Sequence, residues 1–585
     1  MDKEQSQGLE KWFPAWSQAL AATHATGASQ TFILHGNVND IIRIERKNEV
    51  TYAMLTEFLA TQLFGRWDAV IYYDQVRGPR ALASSKSRLA EINRHIERFI
   101  GPMEELRAER DPRKVLTVLD RYLELILLRE GEPVSAALIL DYAHFIVPST
   151  SVSHTSRELA ANLATLLNWA KSPYFKRVSF AFCLISERLS DLHATLVQNP
   201  HTTKIEIPYP EKDARLKFLK WSAGSRNFQE LCEVDAAQLA ELTAGLTLVQ
   251  LQGLMHGAVR TEKRITMDVL KAYKKERIEG QCGGLVEFVE PKHTLDMVVG
   301  HEAGKKRLRE DTELIRRGRL DAVPMGYLLC GPVGTGKSFM AECYAGSVGV
   351  PCLKLLNFRS KYVGETEGNL EKILKVLRVM GPVAVIIDEA DAMLGDRQME
   401  GDSGTSGRVF GQFAAQMGNT AYRGKIIWFL LTSRPDLLPI DLKRQGRCEV
   451  HIPLLYPQSQ DEIAEMFVVM GKKNKVDVDP EEVPPIPENL KLSGADIEGI
   501  VTRAQRMALL ENSPGVTTEH LKTALDNFLP STDSEEKLLQ TLAAALECTD
   551  IDFLPDDLKQ EMALPNGRTA LLHKYRELKL ALERM

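Results

Sequence analysis

Two short apolar runs, "ALILD" ending at Asp141 and "AVIID" ending at Asp388, open two series of landmarks that stay in step along the chain. A serine follows each aspartate 45 positions later, at Ser186 and Ser433. Gln250 in "LTLVQLQGLMHGA" lies 109 residues beyond Asp141, and Asp496 in "LSGADIEGIVTRA" lies 108 beyond Asp388. Within those segments Gly253 matches Gly499 and Ala258 matches Ala504, while "IEIPYP" (205–210) stands where "VHIPLLYP" (450–457) does. Coincidences held over such a span mark a tandem duplication. Each copy alternates short β-branched strands with amphipathic stretches, which implies an α/β fold: a parallel sheet covered by helices on both faces.

The chemistry is concentrated in the second copy. "GPVGTGKS" (331–338) follows the apolar strand "GYLLC" and opens a helix, the context in which G-x-x-x-x-G-K-[ST] is a phosphate loop. Gly331, Pro332, Val333, Gly334, Thr335, Gly336, Lys337, Ser338 and Phe339 form the candidate nucleotide-binding run. Glycines let the backbone curl with its N–H groups inward around the phosphates. Lys337 brings a point charge to the β- and γ-phosphates, and the Ser338 hydroxyl suits Mg²⁺. Asp388 and Glu389 end a wholly apolar strand 51 and 52 residues after Lys337. Asp388 is the candidate metal carboxylate and Glu389 the candidate base for the attacking water, against the blander reading of two solvated acids capping the next helix. Ser433 is a candidate to orient that water.

The first copy has the strand without the chemistry. "FILHG" (32–36) overlays "YLLCG" (327–331), but Ile42 and Arg43 fall where Lys337 and Ser338 stand, and Tyr142 follows Asp141 where the second copy has Glu389. Gly36 to Asp141 spans 105 residues against 57 for Gly331 to Asp388, so the first copy carries an insertion. "SRLAEINRHIERFI" (87–100) and "KVLTVLDRYLELILL" (114–128) give it helical periodicity.

The stretches "GPVGTGKS", "SKYVGETEGNL", "VIIDEADAM", "LTSRPDLLPIDLKRQGRCEV" and "LSGADIEGI" together resemble an AAA ATPase module of the AAA+ superfamily across about residues 296–527. The first copy resembles the same fold distantly, as a degenerate AAA-like domain. The resemblance implies two tandem P-loop modules, each with a helical lid, ATP and Mg²⁺ as ligands, and a homo-oligomeric ring, usually a hexamer. It makes Arg444 and Arg447 arginine fingers for the neighbouring subunit, places Val299 and Gly300 at the adenine, and sets Gly494 and Ala495 by the nucleotide near the lid. It also makes Tyr362, Val363 and Gly364 a pore loop that grips extended polypeptide, with "GDRQMEGDSGTSGR" (395–408) as a mobile second one. The alternative for Tyr362 is packing against its own domain. Sensor-1 is most often asparagine in this family; here Ser433 stands in its place.

The expected organisation is a helical lead (1–27), the degenerate α/β domain (28–208), its lid (209–280), a linker (281–295), the active core (296–455), its lid (456–528) and a helical extension (529–585). The "HEAGK" at 301–305 lacks the second histidine of a zinc protease. Eight scattered cysteines, no N-terminal apolar region and no long apolar stretch give a cytoplasmic expectation without a membrane span. A net charge of −6 argues against a nucleic-acid partner. The favoured function is an ATP-driven remodeller of a protein substrate. The alternative is a nucleotide-switched assembly scaffold with slow hydrolysis, its partners docked on the degenerate domain.

Overall fold

The computed structural model describes residues 10, 12–46, 49–129, 133–150, 156–175, 178–356, 365–394, 405–487, 490–529 and 534–583. The chain divides into two compact units, Met1–Lys274 and Lys275–Met585.

The first unit is built on β1 (Thr31–Gly36), the hairpin β2 (Ile41–Arg46) and β3 (Glu49–Met54), β4 (Ala69–Asp74), β5 (Gly78–Ala81), β6 (Ala136–Leu140), β7 (Phe180–Ile185) and β8 (Thr202–Ile207). Its main sheet runs β8-β1-β7-β6-β4-β5, all parallel except the antiparallel edge β5. The central strands are buried from end to end, as expected where helices cover both faces. One face packs Ile92, Leu119 and Trp169 from the inserted and following helices. The other packs Trp16 and Leu20 of the helix Ala15–Ala25, so the N-terminal lead is part of this core. Each such side chain contributes roughly 1.5–3 kcal/mol through its removal from water.

The second unit repeats the plan with β9 (Val286–Val289), β10 (Gly326–Cys330), β11 (Cys352–Leu355), β12 (Val383–Ile387), β13 (Ile426–Thr432) and β14 (Val450–Pro453). Its order, β14-β10-β13-β12-β11-β9, matches the first sheet strand for strand. The antiparallel edge has a different source: β5 follows its partner β4 in the chain, whereas β9 precedes its partner β11. This corrects the reading of 281–295 as a linker. Its alternating "VEFV" pairs with β11, and Cys282 and Val286 are buried in the second core. The lid helices Gln460–Lys473, Gly494–Leu510 and Thr518–Asp526 share a small core around Ile497 and Leu521. Ser534–Glu547, Asp556–Ala563 and Gly567–Leu582 form the C-terminal helices.

Local details also repeat. The lid helices Leu248–Thr261 and Gly494–Leu510 both begin with a capping box, Thr247 with Gln250 and Ser493 with Asp496. Tyr142 and Glu389, each just after the strand-ending aspartate, both sit in the left-handed region at φ 50° and 47°. Gly36 and Gly331 both turn sharply, and a Cβ would lie 2.6 Å from the Ile207 carbonyl oxygen in one and 1.9 Å from that of Leu454 in the other.

Candidate functional site

The C-terminal edge of the second sheet carries the site. The loop after β10 turns through Gly331, Gly334 and Gly336 and delivers the chain into the helix Lys337–Val348. The N–H groups of that first turn have no partner within the helix, which makes the turn an anion site. Lys337 Nζ donates to the Gly331 and Pro332 carbonyls, both at 2.8 Å. Burial lowers its pKa to about 8, which still leaves the ammonium mostly charged near neutral pH.

Asp388, just beyond β12, faces this loop. Its Oδ2 accepts from the Ser338 hydroxyl at 3.0 Å and from Lys354 Nζ at 2.9 Å. Burial pushes the carboxyl up, but the bonds from Lys354, Ser338 and the Glu389 N–H outweigh it and hold Asp388 below its usual value. Ser338 Oγ and Asp388 Oδ2 are hard oxygen donors at the end of a phosphate site, a set suited to Mg²⁺ with its water shell. Glu389 is exposed beside them.

The strand β13 lies between β10 and β12, so Ser433 at its end stands between the phosphate loop and the acidic pair. The neighbouring Thr432 is fixed: its hydroxyl donates to Asp391 at 2.6 Å and accepts from the Arg434 N–H at 2.8 Å. The lid meets the loop directly. Ala495 N donates to the Gly334 carbonyl at 3.4 Å, and a Cβ on Gly334 would come within 2.7 Å of Ser493 Oγ. Phe339 is half-buried at the loop's far end, with its ring 5.8 Å from that of His293.

Val299 and Gly300 line a cavity of about 440 Å³ together with Tyr456 and Met466 of the lid side and Asp552 to Asp556 of the C-terminal segment. Tyr456 links this cavity to the phosphate loop through its hydroxyl, 3.4 Å from the Val333 carbonyl. His301, half-buried, also lines the cavity, and desolvation lowers its pKa to about 4.

The two arginines separate. Arg444 extends outward with its side chain 60% exposed, whereas Arg447 is 13% exposed and donates to the Asp441 carbonyl of its own chain. Burial, then the charge of Arg444, lowers the Arg447 pKa. Tyr362, Val363, Gly364 and residues 395–404 lie outside the described residues. Residues 405–408, expected within a mobile loop, instead begin the helix Thr405–Met417.

Sequence reasoning missed three residues. Lys354 had a signal, as the lone cation in the buried run "CLKL". Thr432 was hidden as an ordinary strand residue. Gln540, whose Oε1 accepts from the Val333 N–H at 3.1 Å, had no signal because its partner lies 207 residues away.

The equivalent edge of the first unit differs. After Gly36 the chain enters the β2–β3 hairpin, with Ile42 and Arg43 in β2, so no helix opens on the loop. Asp40 occupies the lid contact instead. Its carboxylate accepts from the N–H groups of Leu248 at 3.0 Å and Val249 at 2.9 Å, at the start of the lid helix. Asp141 accepts from the Tyr72 hydroxyl at 2.8 Å.

Residues 5–208 match a family model described as the N-terminal Rossmann-like domain of an AAA+ chaperone, and residues 213–283 match that chaperone's second helical domain. Residues 327–456 match the model of the ATPase family associated with various cellular activities. The cell division cycle protein 48 homolog of Archaeoglobus fulgidus is 27% identical over 386 residues, covering 60% of this chain and 51% of that protein. The proteasome-activating nucleotidase of Thermococcus kodakarensis is 29% identical over 290 residues, 48% of this chain and 71% of that protein. The ATP-dependent zinc metalloprotease FtsH of Pelobacter propionicus is 29% identical over 259 residues, 42% of this chain and 40% of that protein. The chain thus spans about half the length of the curated relatives it matches.

Proposed function

We propose, for a chain that belongs to the AAA+ ATPases, that ATP hydrolysis in its second half drives the remodelling of a protein partner. ATP and Mg²⁺ are the ligands of this family's site, and the reaction yields ADP and phosphate. The working form is a homo-oligomeric cytoplasmic ring, hexameric by resemblance, in which the first half is a nucleotide-free platform.

One observation carries this reading. Lys337, Ser338, Asp388 and Glu389 converge around β13 in the second sheet, while the matching edge of the first sheet holds a hairpin and a lid locked by Asp40. Lys337 turns from its own loop carbonyls to the β- and γ-phosphates. Mg²⁺, when bound at Ser338 and Asp388, neutralises charge on those phosphates. Glu389 accepts the proton of the attacking water, and Ser433 orients that water. Arg444 is the more exposed of the two arginines and serves the neighbouring subunit, while Arg447 is held at Asp441 of its own chain. Val299, Gly300, Gly494 and Ala495 flank the base and ribose. Tyr362, Val363 and Gly364 grip the substrate chain.

The decisive variant is Glu389→Gln. Phosphate release should fall by a factor of about 10²–10⁴ while ATP binding persists. Unchanged turnover would overturn the assignment of the base. The scaffold reading draws on the aromatic side chains Tyr142 and Phe145, which stand 48% and 63% exposed beyond β6 of the first unit. Tyr362→Ala separates the two readings, since a threading ring loses protein processing far more than hydrolysis and a scaffold loses neither.

A further inference from the structure

The helix Ser534–Glu547 lies against the active core of its own unit, along one face. Gln540, only 5% exposed, accepts from the N–H of Val333 in the phosphate loop at 3.1 Å. One turn on, the Ala544 carbonyl accepts from the Cys330 thiol, 3.9 Å away at the end of β10. Glu547 pairs with Lys443 at 2.8 Å, next to the outward-pointing Arg444, and its carbonyl lies 3.0 Å from His451 Nδ1. These contacts recur at i, i+4 and i+7, the spacing of a single helix face. The chain then continues into Asp552–Asp556 and Lys559, which wall the cavity beside Val299 and Gly300. A single segment therefore touches the phosphate loop, the short helix Ile440–Lys443 that precedes Arg444, and the cavity expected to take the base.

We propose that residues 534–559 are a working part of the nucleotide site of their own chain, with Gln540 as the positioning residue of the phosphate loop. The proposal rests on the reading of residues 331–339 as the ATP site. The Val333 N–H sits on the outer turn of that loop. Held by Gln540, it cannot rotate inward, and the N–H groups that follow are kept facing the phosphates. The bond needs a residue with an N–H at position 333, which valine has and proline would lack. Because Gln540 is buried, no water replaces it without cost.

The experiment uses the full chain and a fluorescent ATP analogue with Mg²⁺. Gln540→Met keeps the side-chain length and removes the acceptor; Gln540→Glu keeps an oxygen at the same place. Gln540→Met should weaken nucleotide binding and raise KM by about fivefold, the change one neutral hydrogen bond supports, with kcat altered less than twofold. Gln540→Glu should restore most of the affinity. Val333→Pro, which deletes the donor, should produce no further loss when combined with Gln540→Met. Hydrogen–deuterium exchange within 534–559 should slow when nucleotide is added to the wild type. Wild-type affinity in Gln540→Met, additive losses in the double variant, or exchange in 534–559 indifferent to nucleotide would overturn the proposal. Failure of the wild type itself to bind the analogue would instead overturn the ATP-site reading.

Discussion

Lys354 sets a competition at the metal site that can be measured. Its ammonium lies 2.9 Å from Asp388 Oδ2, the oxygen that also accepts from Ser338. Burial alone would lower the lysine's pKa, but Asp388, with Glu287 and Glu342 nearby, raises it above the ordinary value. Two unit charges at that separation attract by about 1.4 kcal/mol in bulk water and by about 6 kcal/mol at an effective dielectric near 20. The side chains are 31% and 32% exposed, so screening brings the net value toward the lower end, about 1.5 kcal/mol. A divalent cation must displace or outbid that interaction to reach Asp388. Lys354→Met should therefore lower the Mg²⁺ concentration needed for half-maximal nucleotide binding by about tenfold. The assay titrates Mg²⁺ against a fluorescent ATP analogue at fixed protein, with phosphate release followed in parallel. An unchanged Mg²⁺ requirement would refute the competition. Weaker binding of the metal-free nucleotide would show that Lys354 contacts phosphate rather than guarding Asp388.

Arg444→Ala should abolish hydrolysis in the assembled ring while shifting the melting temperature little, because the side chain is exposed; Arg447→Ala should also cost about 1–2 kcal/mol of stability through its lost bond to the Asp441 carbonyl, measured by urea unfolding. Asp40→Ala should destabilise the first half by about 1–2 kcal/mol, as a lost cap does, and leave ATP turnover intact; loss of turnover would mean that this half takes part in chemistry. Asp436 bonds Arg434 and Lys579, and although burial opposes it, these bonds lower its pKa to about 2. Its folded pKa is depressed, so its stabilisation is present above the unfolded value near 3.9 and is lost as pH falls through the folded one. Asp436→Asn should accordingly cost about 1–2 kcal/mol at pH 7, with the urea-midpoint gap from wild type narrowing only below about pH 4.

Local regularities made much of the architecture readable in advance. A continuous apolar run of five residues must be buried on both faces, so "AALIL" and "VAVII" declared themselves central parallel strands. The phosphate loop was equally plain because its chemistry is contiguous: Gly331 to Ser338 is one turn of backbone and the start of one helix. The repeat spacing matched Asp388 and Ser433 with Asp141 and Ser186 along the chain, and the sheet order makes their strands neighbours.

Other features have no contiguous code. The stretch "VEFV" reads as linker by sequence because four residues between glycines and a proline carry a weak strand signal; only pairing with the edge of β11 makes it β9. The fate of the first phosphate loop depended on whether residues 41–54 pair as a hairpin, and that pairing is settled by burial against the sheet. Arg444 and Arg447 are three positions apart with identical chemistry, yet the turn at Gly446 sends one outward and tucks the other beneath Asp441. Gln540 is the clearest case. Its partner is a backbone N–H 207 residues away, and backbone groups are the same in every residue except proline. The order of residues alone therefore fixed which elements form and where the reactive groups lie along them; the packed chain decided which distant polar atoms had to find each other once water was excluded.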